Sequence, residues 1–330
     1  VIFGATSRYD IDITQLWIEA PVGASWSVAL DVQNDYQTGA SPWFVGTDQS
    51  GEPGVIMSGA SIQDNRVEVG VATRYFWADG NAGLNVSRSD EDDYEALSMA
   101  FDASWNTAGN TRTWTTSVSN SRDKVNPTQG VIPVFVTDEE LDTQSGYFGV
   151  SQILSRTAIV RVGLNYTYSD GYLSDPYKLN DQRPQSHERI ALSTGYRHFL
   201  IDANASIQFD YRYYADSWGA DSHTVELGWA QHFERTTLTP YFRYYSQREA
   251  DFFDVVADLT EPHFADDYRL SSYGAMTLGA RWAINLGDWT FELEGERYWS
   301  DANWGLYDGD SAPALVDFWR GTMAIIWRFD

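Results

Sequence analysis

The sequence predicts an all-β protein: a transmembrane antiparallel β-barrel of about 16 strands, with short periplasmic turns and long extracellular loops. Three observations carry this prediction. Apolar and polar residues alternate with period two along most of the 330 residues, the connections alternate between short and long, and aromatic side chains gather at strand ends. The alternation is clearest from Trp289 to Trp299, where Glu292, Glu294 and Glu296 share one face and Trp289, Phe291, Leu293 and Trp299 the other. A water-soluble sandwich rarely turns three successive inward positions to acids. A membrane barrel does so naturally, with lipid on the apolar face and a polar lumen on the other.

The elements follow in chain order. The first full strand starts at Asp10, with Ile11 and Ile13 in one phase and Leu16 and Ile18 in the other; a β-bulge near Thr14 reconciles them. Next come Trp26, Val28, Leu30 and Val32, then Val67, Val69, Val71 and Tyr75, each alternating with small or polar residues. The same pattern returns at Val160–Tyr168, Ile207–Tyr213 and Met276–Ile284, and Met323, Ile325, Trp327 and Phe329 close the chain. Short connections include 22–25, 78–81, 155–156, 201–204 and 286–288, whose Gly, Asn and Asp suit tight hairpins. Long polar stretches near 39–61, 122–141, 170–188, 249–272 and 300–316 alternate with them, together with shorter links at Asp90–Asp93 and Ser217–Asp221. Trp77, Trp105, Trp114, Trp289 and Trp299 fit interfacial girdles at strand ends.

This reading counts fifteen strands from Asp10 to Phe329. Bacterial single-chain barrels have even strand numbers, so Val1–Phe3 read as the end of one more, giving about 16; about 14 is the alternative if one segment is wrongly split. Residues 1–330 form a single outer-membrane β-barrel domain whose first strand is short or incomplete. No apolar run is long enough for a transmembrane helix, and with no signal peptide in view the chain reads as the mature form of an exported protein.

Composition narrows the function. The 47 acids against 22 bases, a formal charge of -25, argue against nucleic acid, whose phosphates would be repelled. The absence of cysteine removes disulfides, thiolate metal sites and cysteine nucleophiles. Of the bases only Lys124 and Lys178 are lysines. Arginine, with its planar fork, is the residue for bridging carboxylates on neighbouring strands.

The strand phases sort the charges. Arg66, Arg74, Arg161, Arg189, Arg197, Arg212, Arg243, Arg281 and Arg328 face inward, with Asp31, Glu68, Asp210, Glu226, Glu292, Glu294 and Glu296. These nearly balance, so the excess of acid belongs to loops such as Asp90–Asp93, Asp138–Glu140, Asp266–Asp267 and Asp308 with Asp310. Such clusters could bridge lipopolysaccharide phosphates through cations, but no EF-hand spacing occurs and solvated loop acids are the simpler reading. The five histidines, His187, His198, His223, His232 and His263, lack metal-ligand spacing, and no Gly-x-Ser-x-Gly occurs. The expectation is therefore no enzyme, no metal and no cofactor. Two loops carry apolar runs, Val131, Ile132, Val134 and Phe135 in one and Phe252 and Phe253 in the other. They serve as a constriction, as loop packing or as a partner contact.

Four segments carry a family resemblance: Gly146–Ser155, Asp170–Lys178, Ala215–Gly228 and Tyr241–Phe253. They resemble a family of uncharacterised bacterial proteins, a domain of unknown function whose members look like exported outer-membrane barrels. The likeness runs from about residue 60 and is most specific in the second half. It implies no activity, substrate or catalytic residue. The family's genes tend to lie beside those of small lipoproteins and flavin-attachment enzymes, which implies a partnered, redox-linked role.

Three functions fit a protein of the bacterial outer membrane in contact with lipid and lipopolysaccharide. The first is a porin-like channel for small solutes, which base rates for barrels this wide favour. The second is a barrel scaffold or export conduit holding a protein partner such as a lipoprotein, an electron carrier or a surface protein. The third is a closed structural or adhesive surface protein.

Overall fold

A computed structural model describes residues 9–39, 42–47, 49–57, 62–127, 136–309 and 312–328. The strands are β1 (Tyr9–Val22), β2 (Trp26–Gly39), β3 (Pro42–Thr47), β4 (Pro53–Met57), β5 (Ile62–Trp77), β6 (Gly80–Asp90), β7 (Tyr94–Thr107), β8 (Arg112–Val125), β9 (Glu139–Ser155) and β10 (Ala158–Gly171). They continue with β11 (Asp181–Gln182), β12 (Ser186–Leu200), β13 (Ala205–Asp216), β14 (Asp221–His232), β15 (Thr236–Gln247), β16 (Phe264–Ala265), β17 (Tyr273–Leu286), β18 (Trp289–Asp301) and β19 (Phe318–Trp327).

Fifteen of these form one sheet, in the order β1-β2-β5-β6-β7-β8-β9-β10-β12-β13-β14-β15-β17-β18-β19. Each strand pairs antiparallel with the next in the chain, an up-and-down meander. The remaining four strands belong to the long connections, β3 with β4 as a hairpin and β11 with β16 as a short bridge between two loops. Among the described residues no sixteenth strand joins the sheet; Val1–Phe3, read as the end of one, lie outside them.

The large side chains of one face stand exposed: Leu30, Val71, Leu84, Met99, Phe101, Val118, Phe148, Leu164, Leu192, Leu227, Leu278 and Met323 among them. An apolar band of this extent has no place in water and faces lipid hydrocarbon. The opposite face carries serine, threonine, glycine and charge. The architecture is that of an outer-membrane β-barrel.

One end of the sheet is closed by short turns. At one of them, Ala108, Gly109 and Asn110 take φ of 55°, 65° and 64° in succession, a left-handed run that only small or turn-forming residues accept without large strain. Aromatics line the outer face just above these turns: Trp26 packs on Tyr75 at 4.9 Å and Trp289 stacks on Trp327 at 5.5 Å. Their amphipathic rings match the membrane–water boundary.

The structure corrects the first strand. The β1–β2 ladder runs from Tyr9↔Gly39 to Val22↔Trp26 with no register shift, so there is no bulge at Thr14. Ile13 and Trp17 therefore share the face of Asp35 and Asp31, while Leu16 and Ile18 join Val32 and Leu30. β1 is the end strand of the described sheet, and both phases stand open, Ile13 at 58% and Leu16 at 56% exposure. With no second neighbour to pack against, nothing forces its apolar residues into one phase.

The sheet curls, and contacts at its long-loop end show it. The β3–β4 loop, near the start of the strand order, meets the loop after β15: the Val45 amide donates to Asp266 Oδ2 at 2.9 Å. Lys178 Nζ, in the loop after β10, donates to the Pro42 carbonyl at 3.0 Å, and the Leu179 amide to the Trp43 carbonyl at 3.1 Å. Loops from opposite parts of the meander thus cross over the mouth.

Candidate functional site: the arginine wall and its capped mouth

The ladders put Arg66, Glu68 and Arg74 of β5, Arg161 of β10, Arg189 and Arg197 of β12, and Asp210 and Arg212 of β13 on the inner face. Glu226 of β14, Arg243 of β15, Arg281 of β17, and Glu292, Glu294 and Glu296 of β18 stand there too. Many are paired. Arg74 grips Asp102 with two bonds of 2.7 and 2.8 Å, passing over Gly83, where an added Cβ would lie 2.8 Å from both groups. Arg197 Nη2 donates to Asp210 Oδ2 at 2.6 Å. Arg281 reaches Glu294 at 3.0 Å and Glu226 at 3.6 Å while lying 4.3 Å above the Tyr241 ring. Tyr241 lies flat over Gly279 and its hydroxyl donates to Glu294 at 2.7 Å and also to Glu296, which Arg320 holds at 3.0 Å. Arg66 is shared among Glu68, Asp35 and Glu91.

Arg161, Arg212 and Arg243 differ: they make no ion pair among the described residues, and neither does Glu292. Register explains how the three come together. Arg161, Gly195, Asp210, Glu226 and Arg243 stand side by side in one row across β10, β12, β13, β14 and β15. Arg212 sits one inward position nearer the long loops. The two acids of the row are drawn away by Arg197 and Arg281. A recess of about 430 Å³ opens there, lined by the three arginines, Asp210, Glu226, Ser193, Thr224 and Tyr147. Gly163 makes room for the Tyr147 ring, which an added Cβ would meet at 2.7 Å.

Toward the mouth a second recess, of about 420 Å³, also touches Arg212 and adds Arg183, Arg189, Arg269, His187 and Trp218. His187 stacks on Trp218 at 3.7 Å with an interplanar angle of 3°, and its Nε2 meets Asp216 Oδ2 at 2.9 Å. Arg189 donates from Nη2 to Ser169, while its Nε is buried without a hydrogen-bond partner.

Over the mouth the loops join in a cap built on Asp267, which is fully buried. Arg269 Nε donates to it at 2.8 Å, Arg183 Nη2 at 2.9 Å, and Lys178 Nζ lies 4.0 Å away. Arg183 also holds Asp181 at 2.7 Å and Arg269 reaches Asp175 at 3.1 Å. Burial pushes the Asp267 carboxyl up, but the Arg269 hydrogen bond and the charges of Arg269, Lys178 and Arg183 outweigh it and bring it to about 2. Beside it, burial raises Asp266 and Asp181 against the pull of their hydrogen-bond donors. Phe253 is buried and Phe252 half-buried in the apolar side of this cap, with Trp218, Ala250, Ala312, Leu173 and Leu315. Val131, Ile132, Val134 and Phe135 lie outside the described residues.

Asp64, Glu91 and Asp93 bring carboxylate oxygens within 4.8 Å of one another at the same end of the sheet. Burial first, then the charges of Asp64 and Asp93, push Glu91 up to about 7, partly offset by Arg66. Asp93 also accepts from the Tyr177 hydroxyl.

Sequence reasoning missed the cap and the organising tyrosines. A signal was present: Asp181-Gln-Arg183 and Asp267-Tyr-Arg269 repeat the same acid-x-Arg spacing in two loops. Asp102, which meets Arg74 across Gly83, and the bridging role of Tyr241 also carried no evident signal.

The profile of one protein family, described as "Protein of unknown function (DUF3570)", matches residues 5–147 and 135–315. The chain belongs to this family. No curated protein matches it. Among solved structures, the DUF3570 chain is similar to OmpT of Vibrio cholerae, an outer membrane protein, at 11% identity over 99% of this chain and 100% of that one, TM-score 0.40. It is similar to the ferric yersiniabactin uptake receptor FyuA from Yersinia pestis at 11% identity, covering 94% of this chain and 55% of that one, TM-score 0.49. The outer membrane transporter YddB from Escherichia coli matches at 8% identity over 89% of this chain and 55% of that one, TM-score 0.43. The chain thus spans little more than half the length of these two larger proteins.

Proposed function

We propose that this DUF3570 protein is an outer-membrane channel for small solutes, its long loops facing outward and forming a constricting cap. The observation that carries the reading is the pair of polar recesses, about 430 and 420 Å³, which meet at Arg212 and lead from beneath the cap along the inner face. A wall of this width ordinarily encloses an aqueous path. On the inner wall the Arg74–Asp102 pair lies across Gly83 and the Tyr241 ring across Gly279, so these large side chains run along the wall. On the outer face, Arg88, Arg122 and Lys124 stand between the apolar band and the loops, beside Asp90, Glu95 and Asp142. That mixed belt suits lipopolysaccharide phosphates, directly or through cations. Purified protein in planar bilayers should give discrete current steps; a folded barrel that stays silent, with or without its cap intact, would contradict the reading.

A second reading, a scaffold for a protein partner such as a lipoprotein or surface protein, draws on Leu259 and Leu306, which stand 63% and 64% exposed on the long loops. A stable complex on gentle purification and no conductance would favour it.

A further inference from the structure

We propose that Arg161, Arg212 and Arg243 form a binding site for a small polyvalent oxyanion, a phosphate or a di- or tricarboxylate. The inference deepens the channel reading and rests on it for the solute's path, though not for the binding itself.

Three features of the wall point to an oxyanion. First, the three arginines line one recess and make no ion pair among the described residues, while Asp210 and Glu226, which line the same recess, are held by Arg197 and Arg281. The local balance is therefore five arginines (Arg161, Arg197, Arg212, Arg243, Arg281) to three acids (Asp210, Glu226, Glu294). This excess sits within a chain of net charge -25, where neutralising acids are plentiful. Second, the guanidinium fork matches the oxygen spacing of phosphate and carboxylate, and the lining threonine and serine can add hydroxyl donors. Third, the basic surface continues. Arg212 lines both recesses, and the upper one adds Arg189, Arg183 and Arg269, with Asp216 held by His187 as the one acid among its lining residues. Arg183 and Arg269 are committed to Asp267. Arg189 keeps a buried Nε–H with no acceptor, a donor that an anion on this track would satisfy. Gly195 leaves room for the Asp210 carboxylate beside Arg161, since an added Cβ there would lie 2.8 Å from Asp210 Oδ1 and 3.7 Å from Arg161 Nε.

The row is built across four consecutive ladders of rigid strand, so the arginines need little reordering on binding. The site is shallow and polar, which suits a compact charged solute and not an apolar one.

The test measures binding and conduction separately on the purified full chain. Inorganic phosphate, succinate and chloride are titrated by calorimetry against the wild type and Arg161→Gln, Arg212→Gln and Arg243→Gln. Arg235→Gln, an exposed substitution in the short turn between β14 and β15, is the control, and thermal unfolding confirms that each variant folds. Phosphate or succinate should bind more tightly than chloride, and each inner-wall substitution should weaken it about tenfold while Arg235→Gln leaves it unchanged. Preference for one of the two over the other identifies the oxyanion. In planar bilayers under a salt gradient the reversal potential should have the anionic sign, and millimolar phosphate should lower the chloride current. Binding without current would sink the channel reading and keep the site. Current with a cationic reversal potential and no oxyanion binding would overturn the site and keep the channel.

Discussion

Replacing Asp267 by asparagine should release the cap and leave the sheet intact. The carboxylate is fully buried and accepts from Arg183 at 2.9 Å and Arg269 at 2.8 Å, with Lys178 at 4.0 Å. The asparagine keeps the shape but removes the charge that three cations share. Lys178 and Arg183 are themselves almost wholly buried, at 4% and 13% side-chain exposure, so they cannot recover hydration without moving. Removing one partner from a buried charge cluster costs about 3–5 kcal/mol. The loss falls on the loops, because each strand of the sheet is held by ladders that do not involve Asp267. Amides at 43–45, 178–183 and 265–270 should therefore exchange roughly a hundred- to several-thousandfold faster, measured by hydrogen exchange with mass spectrometry. Amides in β13, β14 and β15 should keep their rates. Unchanged loop exchange, or equal acceleration throughout the sheet, would refute the reasoning. The pH dependence runs in a definite direction. The folded carboxyl is held at about 2, below its usual 3.8, so its contribution is complete above about pH 4 and is lost as pH falls toward 2.

Glu91 should behave in the opposite sense. Its carboxyl is raised from 4.5 to about 7, so its contact with Asp64 and Asp93 is favoured at acid pH and loosens as pH rises through 7. Faster exchange at residues 91–94 and 177 above pH 7, abolished by Glu91→Gln, would show it. Adjacent residues on β8 test the two faces: Val118→Arg should destabilise the inserted protein by about 2–4 kcal/mol, while Ser117→Arg, opposite Asp102, should be tolerated, both read from urea refolding into lipid. Gly279→Ala puts a methyl 2.4 Å from the Tyr241 ring, so Tyr241 must leave Glu294 and Glu296. The expected cost is about 1–3 kcal/mol in the same assay, and Tyr241→Phe should lower it by removing only the hydroxyl contacts.

The sheet was legible because its signal is local. Val67, Val69 and Val71 alternate with Arg66, Glu68 and Gly70 within one strand, and the lipid face imposes that period wherever a strand has neighbours on both sides. Asp10–Ile18 misled for the same reason: the end strand has one described neighbour, and its mixed phases reflect open surface rather than a bulge. The ladder pairing of Arg281 with Glu294 follows from adjacent strands and could be read from sequence. The cap could not, since Arg183 and Asp267 are 84 residues apart and meet only because loops from distant strands cross the mouth. Phe252 and Phe253 were open to constriction, loop packing or a partner contact; folding places them against Trp218, a residue in a different loop.

The most direct measurement is the current through single purified barrels in a planar lipid bilayer, wild type beside Asp267→Asn. The channel account predicts discrete openings in both, with more frequent or larger openings once the cap is released. Silence from both proteins, each shown to be folded and inserted, would contradict it.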